Sequence, residues 1–214
     1  MIALANDWSL AMLDQPVTDF LAKLGSAAPT PGGGSVAALT GAQAAALVAM
    51  VCHLTIGKKR YAEYEAELRA TLARAEALQA ELTELVAADM AAYEQLSAAY
   101  KLGKDVPARA EALAAALVPA TEVPLAIAEA SARVLDLVPT VVEKGSVVAV
   151  SDAGMAALLA AAAVRSGALN VLINLGSNTD AEAAAAYRAR LDAVLGEPLA
   201  RADALYAEVV KRIG

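Results

Sequence analysis

An aspartate at position 89 interrupts a run of apolar residues spaced for one face of a helix. Leu68, Leu72, Ala75, Leu78, Leu82 and Leu85, then Tyr93, Leu96 and Tyr100, recur in steps of three and four. Asp89 falls four residues after Leu85 and four before Tyr93, so its carboxylate shares the apolar stripe. Glu65, Arg69, Glu76 and Glu84 occupy the opposite face. A carboxylate held against Leu85, Val86 and Tyr93 is partly desolvated, which favours its neutral form and raises its pKa unless a cation lies nearby. Such a group can exchange protons near neutral pH. The structural alternative is an aspartate that pairs with a buried lysine or caps a helix end.

The second chemical feature is Pro29-Thr30-Pro31-Gly32-Gly33-Gly34-Ser35, followed by a charge-free stretch that ends in Gly57-Lys58-Lys59-Arg60-Tyr61. Two prolines fix φ, and three glycines permit positive φ and close backbone approach. Ser35 is expected to cap the following helix, whose free N–H groups favour an anionic or electron-rich ligand. A plain connection between two helices is the competing use of such a segment. Lys58, Lys59 and Arg60 are suited to an anionic substrate, and also to a helix C-terminus, where the macrodipole favours cations.

Asn170 and Asn174 lie four apart, on one helical face inside an apolar segment, and their amides need partners from backbone or ligand. Asp152 follows Ser151, and either residue would serve as a helix cap. His53 beside Cys52 lacks the further ligands of a zinc site and is expected at the core or a pocket edge. The sequence has no HExxH, nucleotide fingerprint or P-loop lysine after Gly34, so no metal and no cofactor are expected.

The elements that must hold these groups are helical. No segment alternates with period two, alanine supplies much of the 58% hydrophobic content, and only 4% of residues are aromatic. Helices are expected over residues 16–24, capped by Asp14, then over 35–56 and 59–102. The helical pattern resumes from Pro107 to about 142, with breaks or kinks at Pro119, Pro124 and Pro139. A connection is expected at 143–146, a helix from 151, a separate short helix at 170–175, and a turn at Gly176-Ser177-Asn178. A final amphipathic segment covers 180–213. With no repeat or linker, 214 residues form one all-α domain, an antiparallel helical bundle with a long central helix, spanning residues 1–214.

The net charge of −7 argues against a nucleic-acid partner. The single cysteine and the absence of a signal-like N-terminus lead to an expectation of a reducing cytoplasm. Mean hydropathy is +0.50, and residues 24–57 carry no Asp, Glu, Lys or Arg. That stretch could span a bilayer by length, but it is alanine-rich, includes Thr40, Gln43 and His53, and has no aromatic belt. A buried central helix is expected, and no membrane partner.

Taken together, several segments resemble the formiminotetrahydrofolate cyclodeaminase/methenyltetrahydrofolate cyclohydrolase family. They are residues 29–38, Val51-Cys52-His53-Leu54-Thr55-Ile56-Gly57-Lys58-Lys59-Arg60-Tyr61, Ala88-Asp89, Thr121-Glu122-Val123-Pro124-Leu125, Ser151-Asp152-Ala153-Gly154 and Ala168-Leu169-Asn170-Val171. Family members often have Asn in place of His53 and Gly-Asn in place of Gly145-Ser146. The resemblance implies a helical fold that forms a homodimer, a tetrahydrofolate site beside the glycine loop and an acidic catalytic residue at Asp89.

The free-standing pattern is similar to the bacterial cyclohydrolases. It implies hydrolysis of 5,10-methenyltetrahydrofolate to 10-formyltetrahydrofolate, with cyclodeamination of 5-formiminotetrahydrofolate as the second possibility. A non-catalytic helical binding protein is the alternative of another class. On the folate expectation, Asp89 is the acid–base group and Lys58 positions it or holds the attacking oxygen. Asn170, Asn174 and Asp152 meet the pterin edge, the Gly32, Gly33, Gly34 and Ser35 backbone closes over the rings, and Lys59 or Arg60 attracts the glutamate tail.

Overall fold

A computed structural model describes residues 13–177 and 180–214; Asn178 of the expected turn lies outside them, as does the N-terminal segment. The described residues form helices and no strands. In chain order they are α1 (Val17–Leu24), α2 (Gly33–Thr55), α3 (Glu65–Lys101), α4 (Arg109–Leu135), α5 (Val138–Lys144), α6 (Val150–Leu175), α7 (Ala181–Leu195) and α8 (Glu197–Ile213). Short 3-10 turns at Lys59–Tyr64 and Val147–Ala149 lead into α3 and α6.

Helix α2 is central, flanked by α3 and α6 and crossed by α4. Its buried face is made almost entirely of Gly, Ala, Ser, Val and Cys, so neighbouring helices approach its backbone closely. Larger side chains close the core from the other helices: Leu68, Leu82 and Met90 from α3, and Leu125, Ile127 and Leu135 from α4. Helix α8 covers α6 through Leu199, Ala202, Leu205 and Val209.

The boundaries differ from expectation where local chemistry decides them. Asp14 does not cap α1; Pro16 stands at that position. Helix α2 begins at Gly33, so Gly33 and Gly34 are in its first turn and Gly32, in extended conformation, is the N-cap. None of the three glycines has positive φ, and Ser35 is not the cap. At the other end, Gly57 does take φ +79°, turning the chain out of α2 into residues 58–60.

Pro119 and Pro124 lie inside α4, whereas the break expected near Pro139 falls between α4 and α5. Residues 170–175 are the last turns of α6, not a separate helix. Neither Ser151 nor Asp152 caps α6, which starts at Val150; Asp152 lies in the first turn, where its charge suits the helix dipole. The final segment divides at Gly196 into α7 and α8, and the Asp180 side chain caps α7 by accepting from the N–H groups of Glu182 and Ala183.

Three stretches are long and apolar enough to cross a membrane by length and composition: Gly33–Thr55, Arg109–Lys144 and Val147–Leu175.

Candidate functional site

Helices α2 and α3 set the centre of the site. Asp89 projects from α3 onto the first turn of α2, where the Ser35 hydroxyl donates to Asp89 Oδ2 at 2.8 Å. The Ser35 backbone N–H, in the same turn, also acts on this carboxylate, favouring its charged form. The first turn of α2 has N–H groups without intrahelical partners and no side-chain cap at Gly32, and the Asp89 carboxylate lies against this turn from the neighbouring helix. Gly34 makes the approach possible: a Cβ added there would collide with the Asp89 carboxylate.

Burial is the largest influence on Asp89 and pushes its pKa above the usual carboxylate value; the hydroxyl and N–H of Ser35 pull in the opposite direction. Among the described residues no cation lies within ion-pair reach of it. Among the described residues, then, it is not a lysine that holds Asp89 but the Ser35 hydroxyl at the first turn of α2. Tyr93, expected beside it, is 46% exposed.

Thr30 and Glu94 extend this end of the bundle, the Thr30 hydroxyl lying 3.4 Å from Glu94 Oε1. Asn170 comes here from α6: its amide nitrogen donates to Ser166 O at 2.9 Å and would lie 3.9 Å from a Cβ on Gly33. Gly32 is open, with nothing near a Cβ placed on it. Glu94 was not singled out from sequence, since one more glutamate on a mixed helix carries no signal by spacing.

Asn174 has a different occupation. Pro124 lacks the N–H that would bond the Ala120 carbonyl one turn earlier, and the Asn174 amide donates to that carbonyl. The amide placed in the folate set by sequence thus repairs the proline site in α4.

The remaining candidates lie at the opposite end. Helix α2 has 23 residues, so its two ends are about 35 Å apart at the α-helical rise. Asp89 contacts one end, while Lys58, Lys59 and Arg60 follow the other and are exposed. Asp152 is also at that far end, since the α6 connection is tied there: Ser146 N–H donates to Thr55 Oγ1 at 2.8 Å and Val147 N–H to Tyr61 Oη at 3.2 Å. Within one chain, Lys58 therefore neither positions the Asp89 carboxylate nor holds an oxygen beside it. Asp152 is likewise separated from Asn170 by about 27 Å of α6.

His53 is exposed rather than in the core, with Nε2 3.5 Å from Glu76 Oε1. Cys52 is buried, and burial, with a smaller effect of Glu76, pushes its thiol up to about 11. Among the described residues no cluster of three His, Cys, Asp or Glu could hold a metal ion. A cleft of about 440 Å³ opens between α3 and α4, lined by Gln95, Leu102 and alanines, and none of the candidate residues lines it.

The family model for formiminotransferase-cyclodeaminase matches residues 16–193. The chain is 42% identical over 204 residues to a methenyltetrahydrofolate cyclohydrolase of Methylorubrum extorquens, a match covering 94% of this chain and 98% of that one. It is 37% identical over 191 residues to the formimidoyltransferase-cyclodeaminase of Sus scrofa, covering 87% of this chain but 35% of that protein. The crystal structure of a formiminotetrahydrofolate cyclodeaminase from Thermotoga maritima is similar with a TM-score of 0.80 and 29% identity, covering 94% of this chain and 96% of that chain.

Proposed function

Because the chain belongs to the formiminotransferase-cyclodeaminase family, we propose that it hydrolyses 5,10-methenyltetrahydrofolate to 10-formyltetrahydrofolate, with Asp89 as the acid–base group. The observation that carries the assignment of Asp89 is its carboxylate beside Gly34 and Ser35, raised in pKa by burial and, among the described residues, without a paired cation. The near full-length likeness to a cyclohydrolase supports the choice of reaction.

The methenyl bridge is an amidinium-type cation, electrophilic without further activation. Water forms a bond to the bridge carbon and gives one proton to the Asp89 carboxylate. The tetrahedral adduct then breaks its C–N5 bond; Asp89 returns that proton to N5, and the second hydroxyl proton leaves to solvent as the formyl C=O forms. A carboxylate is the right partner at both ends of this sequence. It stabilises the bound cation and, once protonated, is the acid the leaving nitrogen needs.

Asn170 and the backbone around Gly33 are the proposed contacts for the pterin. No metal or organic cofactor is required by this chemistry. The proposed assembly is a homodimer, and the proposed place of work is the cytoplasm, where the lone, unpaired Cys52 stays reduced.

Cyclodeamination is the second reading, favoured by the structural likeness to the Thermotoga maritima protein. The adduct formed from 5-formiminotetrahydrofolate has the same tetrahedral carbon but expels ammonia. Purified protein given each folate separately decides: loss of the methenyl chromophore without ammonia release from the formimino compound establishes the first reading, and the reverse pattern the second.

A further inference from the structure

The apolar stripe of α3 continues past the point where the core stops covering it. Asp89, Tyr93, Leu96 and Tyr100 follow one another in steps of four, three and four, so all share one helical face. At Asp89 that face meets the first turn of α2, through Gly34 and Ser35. Helix α2 begins at Gly33, while α3 runs on to Lys101, about 18 Å past Asp89.

Over that length the Asp89 face of α3 has no part of α2 beside it. Ala92 and Ala99 are still buried, whereas Tyr93 is 46% and Tyr100 49% exposed. Only 4% of the residues are aromatic, yet two of them stand in line with Asp89 and outside the core. Core packing does not account for that placement, since a tyrosine ring contributes most to a core when it is buried.

The proposed substrate matches this arrangement in length. In 5,10-methenyltetrahydrofolate the reacting carbon is bonded to N10, and N10 carries the p-aminobenzoyl ring. The centre of that ring is three bond lengths from the reacting carbon, about 4 Å. Tyr93 is one turn beyond Asp89, about 6 Å along α3, and helical side chains lean back toward the N-terminus. With the bridge at the Asp89 carboxylate, a substrate lying along α3 therefore brings its aryl ring to Tyr93. Tyr100 is about 16.5 Å beyond Asp89, past the reach of that ring.

The electronics match as well. The positive charge of the bridge is shared by N5 and N10, and it draws electrons from the attached aryl ring. The face of a phenol ring is electron-rich, so offset stacking and attraction for the cation act together.

We propose that Tyr93 is the platform on which the p-aminobenzoyl ring of the substrate stacks, setting the direction in which the folate leaves the Asp89 carboxylate. The inference rests on the folate reading above and adds to it the residue that holds the aryl half of the substrate. The pterin half stays with Asn170 and the backbone around Gly33.

Tyr93→Leu and Tyr93→Phe test it, with Tyr100→Leu as the control. Tyr93 is half in water, so the leucine variant keeps its fold and its thermal midpoint. Its KM for methenyltetrahydrofolate should rise roughly 5–20-fold. Its kcat should stay within about twofold of the parent value, because Asp89 and Ser35 are untouched. Tyr93→Phe keeps the ring face and should restore KM, and Tyr100→Leu should leave KM unchanged. An unchanged KM in Tyr93→Leu, a loss that phenylalanine does not rescue, or an equal loss in Tyr100→Leu overturns the proposal.

Binding without turnover separates this from failure of the folate reading. Parent and variants are titrated calorimetrically with 5-formyltetrahydrofolate, which keeps the aryl ring. Tyr93→Leu should bind it severalfold more weakly than the parent, and Tyr93→Phe as the parent does. Equal binding by parent and Tyr93→Leu overturns this inference alone. A parent that binds no reduced folate overturns the folate reading, and the inference with it.

Discussion

The Asp89 carboxylate occupies the space that a side chain on Gly34 would fill, and it is held there by the Ser35 hydroxyl at 2.8 Å. Consecutive residues of α2 thus do two jobs for one group on α3: the first makes room and the second fixes orientation. Gly34→Ala should drive the carboxylate out of this position and break the Ser35 bond. We expect turnover to fall nearly as far as in Asp89→Asn, at a stability cost of about 1–3 kcal/mol from overpacking. Gly33→Ala is the control, since its Cβ would meet nothing nearer than 3.9 Å. It should leave the thermal midpoint unchanged or slightly raised, as alanine is the better helix former. A midpoint lowered equally in both variants would show that the loop backbone, and not the space taken by the carboxylate, sets the cost of a side chain here.

The pH dependence follows from the direction of the Asp89 shift. Its pKa is raised above the ordinary 3.8, chiefly by burial. Activity that needs the carboxylate as base should therefore rise with pH through an apparent pKa above 3.8. Ser35→Ala removes a bond that lowers this pKa and should move the acid limb to higher pH. For stability, the folded chain binds the Asp89 proton more tightly than the unfolded chain. Asp89's contribution is thus fully present below 3.8 and is lost as pH rises through the folded pKa. Unfolding of Asp89→Asn, followed from pH 4 upward, should lack that decline; an identical decline in both proteins would place the titration elsewhere.

Asn174 offers a test of structure against binding. Asn174→Ala strands the Ala120 carbonyl beside Pro124 and should cost about 1–3 kcal/mol of stability. Its KM for methenyltetrahydrofolate should stay at the wild-type value. A raised KM with an unchanged melting midpoint would return Asn174 to the substrate.

The helical class was legible because alanine-rich segments showed no alternation, and Asp89 was legible because its phase on α3 put a charge among leucines. Other features were hidden by the same composition. Helix α2 is apolar on every side, so periodicity could not tell that His53 and Leu54 face outward while Val51 and Cys52 face in. Pro124 read as a break, yet α4 continues through it because a side chain fifty residues later supplies the missing donor. Ser35 had the residue type of an N-cap, but its hydroxyl serves Asp89 and the cap position went to Gly32. The division of the candidate residues between two ends of α2 could not be read from one-dimensional spacing at all.

The chemistry requires no Lewis acid, since the substrate bridge is already cationic. Turnover of methenyltetrahydrofolate should survive exhaustive treatment with a chelator. Loss of activity that one divalent metal restores would assign the electrophile's activation to that metal and not to the substrate's own charge.

The most direct test of the central claim is Asp89→Asn, with turnover and thermal midpoint measured on one preparation. The substitution keeps the size of the side chain and an oxygen for Ser35 to bond, but removes the base. Turnover should fall by about 10²–10⁴-fold with the midpoint at or slightly above that of the parent, because no buried cation is left unpaired. Near-normal turnover with a sharply lowered midpoint would mean that Asp89 only caps α2 from across the bundle, and would contradict its role as the acid–base group.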